Sequence, residues 1–281
     1  MEIKTRIGEQ LSRGLVYIAL TVLAIIFMFP FYWLVSAAFK SQAQIFMTPP
    51  QWIPNPVRFG NFTELFHQTN ILRAFFNSVV TSAGSVFLTL FLCSLAGYAF
   101  AKFPQAPGNS KLFTFVLATM MIPTAVTLIP TFEILIHLHW INTYWALIIP
   151  GSVGAFGIFW MRQYIGANLP DDLIAAARID GCTEFGIYWR IALPVAKPAL
   201  TALGIMQLIS SWNNLMWAFI VLRTPNMLTL PVVIYLMQGE MDTQWGMLMA
   251  GGLITVLPLV LAFLIFQRQF VNGITAGAVK Q

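Results

Sequence analysis

Six charged side chains, Asp171, Asp172, Arg178, Asp180, Glu184 and Arg190, fall within twenty positions of a 281-residue chain that has only 15 Lys and Arg and 10 Asp and Glu in all. Such a cluster can form ion pairs or dock onto a partner. A second group, Ser210, Ser211, Asn213 and Asn214, is flanked by Trp212 and Trp217. Amides and hydroxyls beside indole rings suit a neutral polyhydroxyl ligand. Glu133, His137 and His139 form the one constellation that resembles metal ligands. Glu133 and His137 share a helix face at i, i+4, but a zinc site also needs a third well-placed ligand and an outer shell. An interfacial cluster accounts for them better, with Glu133 hydrogen-bonded or at an aqueous mouth.

The elements that carry these groups are written in the hydropathy. The chain is 58% hydrophobic and 9% charged, with 24 Phe, 13 Met and 9 Trp, and its mean hydropathy is +0.76. That is well beyond an ordinary soluble domain and points to lipid as the solvent. Six windows are long and apolar enough to cross a hydrocarbon core: 15–36, 74–100, 112–136, 143–166, 197–222 and 246–267. Only Glu133, Arg162 and the boundary residue Lys197 bring charge into them. Each charge at a span's centre costs about 2.5–3.5 kcal/mol, so the six in 171–190 would cost on the order of 15 kcal/mol. That segment lies outside the membrane.

An N-terminus in the cytoplasm places Lys4, Arg6, Arg13, Lys102, Lys111, Arg162, Arg178, Arg190, Lys197, Arg268 and Lys280 on that side. Lys40, Arg58, Arg73 and Arg223 fall on the other. The imbalance predicts six transmembrane helices with both ends inside. The net charge of +5 is mostly this topology signal and no nucleic-acid footprint. The first window is longer than a signal-peptide core and reads as an uncleaved anchor. Cys93 and Cys182 lie in different environments and form no disulfide framework.

Two outside loops are sizeable. Residues 37–73 are rich in proline and aromatics and read as a short interfacial cap, and 223–245 joins the fifth and sixth spans. Both are either connectors or contact points for an external partner. Pro123 and Pro130 in the third span, Pro150, Gly151, Gly154 and Gly157 in the fourth, and Pro258 in the sixth predict kinks or close packing. The amides of the fifth span must face a neighbouring helix or a water-filled path.

Within the charged segment, Asn168 and Pro170 open a short helix and Asp171 and Asp172 sit in its first turn, where the dipole favours anions. Gly181 ends it. Its middle, "AAAR", has small side chains that let another surface approach closely. A second short helix runs from near Thr183 to about Ala192, where "LP" turns the chain into the fifth span. Such a helix-turn-helix fits docking into the cleft of a soluble subunit. It fits equally an amphipathic helix resting on headgroups through Ile187, Tyr188 and Trp189.

Gly181, nine residues, then "IALP" at 191–194 resembles the cytoplasmic loop signature of ABC importer permeases, E-A-A-x3-G-x9-I-x-L-P. The surrounding "LPDDLIAAARIDGCTEFGIYWRIALPVAKPAL" looks like the carbohydrate-uptake, MalG-like branch. The likeness extends through "MMIPTAVTLIPTF", "INTYWALIIPGSVGAFGIFWMRQY" and the tail "QRQFVNGITAGAVKQ", over most of the chain from about residue 75. "DGCTEFGI" and "SWNNLMWAFIVLRTPNMLTLP" are similar to permeases for arabinose- or galactose-containing oligosaccharides.

The resemblance implies an all-α membrane protein of type I importer permease fold, one permease domain over 1–281, in the bacterial cytoplasmic (inner) membrane. The loop 168–194 would be the coupling-helix loop, and 268–281 a cytoplasmic tail reaching between ATPases. The implied partners are a second homologous permease, a dimer of cytoplasmic ATPases and an external solute-binding protein that delivers a sugar or oligosaccharide. ATP and Mg would sit on the ATPase, with no cofactor in this chain. Contact to the ATPase would involve Asp171, Asp172, Ala176, Ala177, Arg178, Asp180, Gly181, Glu184, Gly273 and Gly277. The substrate path would involve Ser210, Ser211, Asn213, Asn214 and Trp217. The family glutamate falls on Ala175, so its ionic contact does not carry over, and Asp171 or Asp172 is the replacement to consider, with Arg178 or Asp180 contributing.

An ion-coupled secondary carrier is the rival reading, since polar groups in mid-span would suit one. It would normally carry more intramembrane acid than Glu133 and would have no use for a docking loop. A membrane enzyme is the other. No H-E-x-x-H, G-x-S-x-G or G-x4-G-K-[ST] occurs, so neither catalysis nor ATP binding is written into the chain.

Overall fold

The computed structural model describes residues 2–239 and 243–275, with side chains over 13–239 and 243–267. Among the described residues the regular elements are helices, with no strand. In order they are α1 (Glu2–Ala38), α2 (Gln42–Ile45), α3 (Gly60–Gln68), α4 (Ile71–Lys102), α5 (Asn109–Thr119), α6 (Thr124–His137), α7 (Trp145–Ile148) and α8 (Ala155–Asn168). There follow α9 (Asp171–Ile179), α10 (Glu184–Ile187), a π turn (Tyr188–Ala192), α11 (Leu193–Val195), α12 (Lys197–Trp212), α13 (Leu215–Val221), a 3-10 turn (Pro225–Met227), α14 (Leu230–Leu236) and α15 (Trp245–Thr275).

The chain divides into two compact units, Met1–Thr69 with Leu236–Val256, and Asn70–Tyr235 with Leu257–Gln281. In the first, the part of α1 that follows Arg13 is strongly apolar, and none of the most hydrophobic window of its span Arg13–Ala38 is buried. Beyond α1 the backbone is held by side chains. Asn61 donates to the carbonyls of Ala38 and Lys40, both at 2.8 Å. Lys40 is fully buried, donates to the Gln51 carbonyl and lies 4.3 Å from the centre of the Trp33 ring. Gln42 donates to the Thr243 carbonyl at 3.1 Å and accepts from the Trp245 amide at 3.0 Å.

In the second unit α4 is the packing axis. Its buried face is unusually polar, running through Asn77, Ser78, Thr81, Ser82, Ser85, Thr89 and Ser94. Small residues set the approach of its neighbours: a β-carbon on Gly157 would meet the Cys93 sulfur at 2.8 Å. One core joins Cys93 and Tyr98 of α4, Met161 and Ile165 of α8, Ile174 and Ala177 of α9, Ile187, Tyr188, and Ala199 and Leu203 of α12. A second gathers Leu135, Ala146, Leu147, Ala218, Val221, Leu222 and Val232.

Of the six expected spans, three are single helices long and apolar enough to cross a membrane: Arg13–Ala38, Ile71–Lys102 and Trp245–Gln267. The window 112–136 is a pair, α5 and α6, bent by 101° where Pro123 stands as N-cap. The window 143–166 is interrupted between α7 and α8, where Pro150, Gly151 and Gly154 stop helix propagation. Pro258, by contrast, lies inside the continuous α15. The segment Glu184–Val195 and α12 meet at 79°. That turn falls at Ala196, after "LP" instead of at it.

Candidate functional site

The loop between α8 and α12 is a two-helix elbow whose construction follows its sequence closely. Pro170 caps α9 in an extended conformation and Asp171 and Asp172 occupy its first turn. The helix closes as expected: Gly181 adopts φ +80°, and the Asp180 and Cys182 amides donate to the carbonyls of Ala176 and Ala177, each at 3.0 Å. This is the left-handed glycine stop that satisfies the last carbonyls of a helix. Thr183 then caps α10, its hydroxyl accepting from the Gly186 amide at 3.2 Å.

The elbow has two faces. Ile174, Ala177, Ile187 and Tyr188 turn inward to the core, so Ala177 is not part of the outer surface. Ala175 and Ala176 face outward. They share that side with Leu173 (44% exposed), Ile179 (87%), Phe185 (58%) and Trp189 (56%).

The charged residues of the elbow divide into paired and unpaired ones, all on the exposed side. Arg178 Nε lies 2.6 Å from Glu184 Oε1, and this hydrogen bond, reinforced by the charge, holds the Glu184 carboxyl below its usual range. The same bond raises the Arg178 guanidinium. Asp171 Oδ1 accepts from Lys102 Nζ at 2.7 Å, and Lys102 also donates to the Leu169 carbonyl. Among the described residues none forms a hydrogen bond or ion pair with the side chains of Asp172 and Asp180. Of the two candidates for replacing the family glutamate, Asp172 is thus the unengaged one.

The elbow also rests on residues that sequence reasoning passed over. Tyr98 donates to Glu184 Oε2 at 3.3 Å, and Ser94 and Tyr188 pair hydroxyl to hydroxyl at 2.8 Å. The available signal was Ser94, Tyr98 and Lys102 repeating every four residues down one side of an apolar span.

The polar group of the expected fifth span sits at a break. α12 ends at Trp212, Asn213 closes it, and Asn214, at φ −74° and ψ 83°, starts α13. Asn213 Nδ2 returns to the Ile209 carbonyl at 2.8 Å and Ser211 Oγ to that of Gln207 at 2.8 Å. Trp217 Nε1 donates to the Ala146 carbonyl at 2.8 Å, tying α13 to α7. Ser210 and Asn213 are exposed on the surface of this unit, and Asn214 is half-buried. Glu133, His137 and His139 are exposed as well. Among the described residues no group of three His, Cys, Asp or Glu side chains could hold a metal ion. Gly273 lies in the backbone of α15, and Gly277 and the rest of the tail from 276 onward lie outside the described residues.

Among the described residues, an all-helical architecture with several apolar spans, a helix broken at paired asparagines and a capped two-helix elbow is that of a multi-pass membrane protein. Comparison with known proteins places it further. Residues 93–275 match the family of binding-protein-dependent transport system inner membrane components, and the chain belongs to that family. It is 37% identical over 270 residues to the arabinooligosaccharides transport system permease protein AraQ of Bacillus subtilis, covering 94% of this chain and 95% of that one. It is 32% identical over 281 residues to the lactose transport system permease protein LacG of Rhizobium radiobacter, covering 98% and 99%.

The fold matches that of a chain in a bacterial ABC transporter involved in the import of the acidic polysaccharide alginate, with a TM-score of 0.84 at 20% identity over 94% of this chain and 98% of the other. Membership of the family makes the chain an importer permease and not an ion-coupled carrier. It is a transport subunit whose ATPase is a separate protein.

Proposed function

We propose that this chain forms half of the translocation pathway of an importer for a neutral sugar or oligosaccharide in a bacterial cytoplasmic membrane. It would have six spans and both ends inside, and would work with a second homologous permease, a cytoplasmic ATPase dimer and an external solute-binding protein. ATP and Mg belong to the ATPase. The observation that carries the reading is the elbow at 171–195, cored on one side and presenting Ala175, Ala176 and Ile179 on the other. A capped helix with small and apolar side chains on its free face is built to enter a cleft. Resting on headgroups is the weaker alternative, because Ile187 and Tyr188, two of the three residues it would use, are buried.

The helix break at Asn213 and Asn214 supports a path for a polyhydroxyl cargo, since unwound backbone and amides are tolerated in a membrane where they line a cavity. The arabinooligosaccharide and lactose relatives support the cargo class.

The test is reconstitution in liposomes with the partner permease, ATPase and binding protein, using arabinotriose and lactose as probes. The expected result is ATP hydrolysis stimulated by sugar-loaded binding protein, with sugar accumulating inside. Hydrolysis indifferent to the binding protein, with sugar entry following a proton gradient, would overturn the reading.

A further inference from the structure

We infer that Ser94, Tyr98 and Lys102 act as positioning residues that latch the elbow to α4, so that a displacement of the elbow moves α4 in register with it. This rests on the elbow being the ATPase contact proposed above. The three side chains recur every fourth residue and so stack along one side of the helix. Each holds a different part of the elbow. Lys102 Nζ takes its start, at the Leu169 carbonyl and, at 2.7 Å, the Asp171 carboxylate. Tyr98 takes the first residue of α10, donating to Glu184 Oε2 at 3.3 Å. Ser94 pairs hydroxyl to hydroxyl with Tyr188, 2.8 Å away in the π turn.

On the α4 side the latch is shielded from water, while its carboxylate acceptors Asp171 and Glu184 are 87% and 44% exposed. Ser94 is fully buried, Tyr98 and Tyr188 are 3% and 1% exposed, and the Lys102 side chain is 4% exposed. Polar links in such surroundings are directional and costly to leave unmade. Ile174, Ala177 and Ile187 already attach the elbow through the core, but apolar contact is non-directional and tolerates small slides. Hydrogen bonds at three separated points fix register. The remaining carboxylate oxygen of Glu184 is occupied by Arg178 at 2.6 Å, which also ties α9 to α10 and makes the two helices move as one piece.

The test uses the complete transporter in liposomes and reads ATP hydrolysed per sugar taken up, beside binding-protein-stimulated hydrolysis. Tyr98→Phe combined with Tyr188→Phe removes two hydroxyls and leaves the apolar core in place, Lys102→Met removes the charge, and Lys102→Arg restores a donor. The expected result is assembled complexes in every case. ATP spent per sugar should rise about tenfold when the double Phe variant and Lys102→Met are combined, and return only part of the way to wild type with Lys102→Arg in place of Met. Wild-type stoichiometry in the assembled combined variant would overturn the latch. So would loss of assembly in all variants including Lys102→Arg, which is the signature of a purely structural role. Failure of wild type itself to respond to loaded binding protein in the same liposomes would instead defeat the importer reading.

Discussion

Gly97 faces Met161 so closely that a β-carbon built on it would stand 2.6 Å from Met161 Cβ and 2.8 Å from the Arg162 amide nitrogen. Neither neighbour is the free end of a flexible chain, so the clash can be relieved only by moving α8 off α4. Gly97→Ala should destabilise by about 1–3 kcal/mol, and Gly97→Leu should prevent accumulation of folded protein. Gly166 on the same α8 has nothing within 4 Å of its hypothetical β-carbon. Gly166→Ala should be neutral or stabilising by about 0.5 kcal/mol through helix propensity. Thermal unfolding in detergent separates the two.

Gly181 separates conformation from space. It sits at φ +80° with nothing within 4 Å, so a substitution there costs backbone strain alone. Gly181→Val should cost about 1–2 kcal/mol and fray the end of α9, and Gly181→Asn should cost less because Asn tolerates the left-handed region. Binding-protein-stimulated ATP hydrolysis should fall in the same order. Equal effects of Val and Asn would show that the turn is not what matters.

Asn77 should be hard to replace. It is fully buried, donates to the carbonyls of Asn226 at 2.9 Å and Leu228 at 2.8 Å, and accepts from the Tyr144 hydroxyl at 2.6 Å. Asn77→Ala leaves all three without this partner and should cost about 2 kcal/mol or more. Asn77→Asp should be no better, because a carboxylate has no N–H to offer the two carbonyls. Unfolding midpoints of the two variants check this.

The pairing of Arg178 with Glu184 sets a direction for pH. Because the folded carboxyl is depressed, its contribution to elbow stability is fully present above the unfolded glutamate value of about 4.3 and is lost as pH falls through the folded one. Both side chains are well exposed, so the effect is small and weakened by salt. The slope of the unfolding midpoint between about pH 3 and pH 6 should flatten in Glu184→Gln. An unchanged slope would remove the pair from the account.

Asn214 has no hydrogen-bond partner for its side chain among the described residues. With Asn213 it forms the interruption between α12 and α13. If these amides meet cargo, Asn214→Leu should reduce sugar uptake about tenfold, through an unpaired hydroxyl on the cargo, with assembly unchanged. The liposome uptake assay with arabinotriose measures it, and undiminished uptake would take Asn214 out of the pathway.

Much of this was legible without coordinates. The apolar windows at 15–36, 74–100 and 246–267 lie within long helices because sustained hydrophobicity and a saturated backbone leave a membrane segment no other form. The elbow was readable residue by residue, since Asp171, Gly181 and Thr183 act through local backbone chemistry that neighbours hardly alter. The signature around Gly181 placed the chain among importer permeases for the same reason.

Other features depended on packing between distant segments. Hydropathy counts apolar residues and cannot say whether Pro258 will be absorbed within α15 while Pro123 and Pro150 accompany breaks. That choice lies with the neighbours able to satisfy freed backbone groups. The division of "AAA" into outward Ala175 and Ala176 and inward Ala177 follows from which side of α9 meets the core. The roles of Lys102, Tyr98 and Ser94 follow from α4 lying under a loop that begins 67 residues beyond Lys102 at Leu169. Sequence determined the class of protein and the shape of its docking element, because both are encoded in local pattern. Tertiary structure decided which side chains face out and which hold that element, because those depend on contacts between residues far apart in the chain.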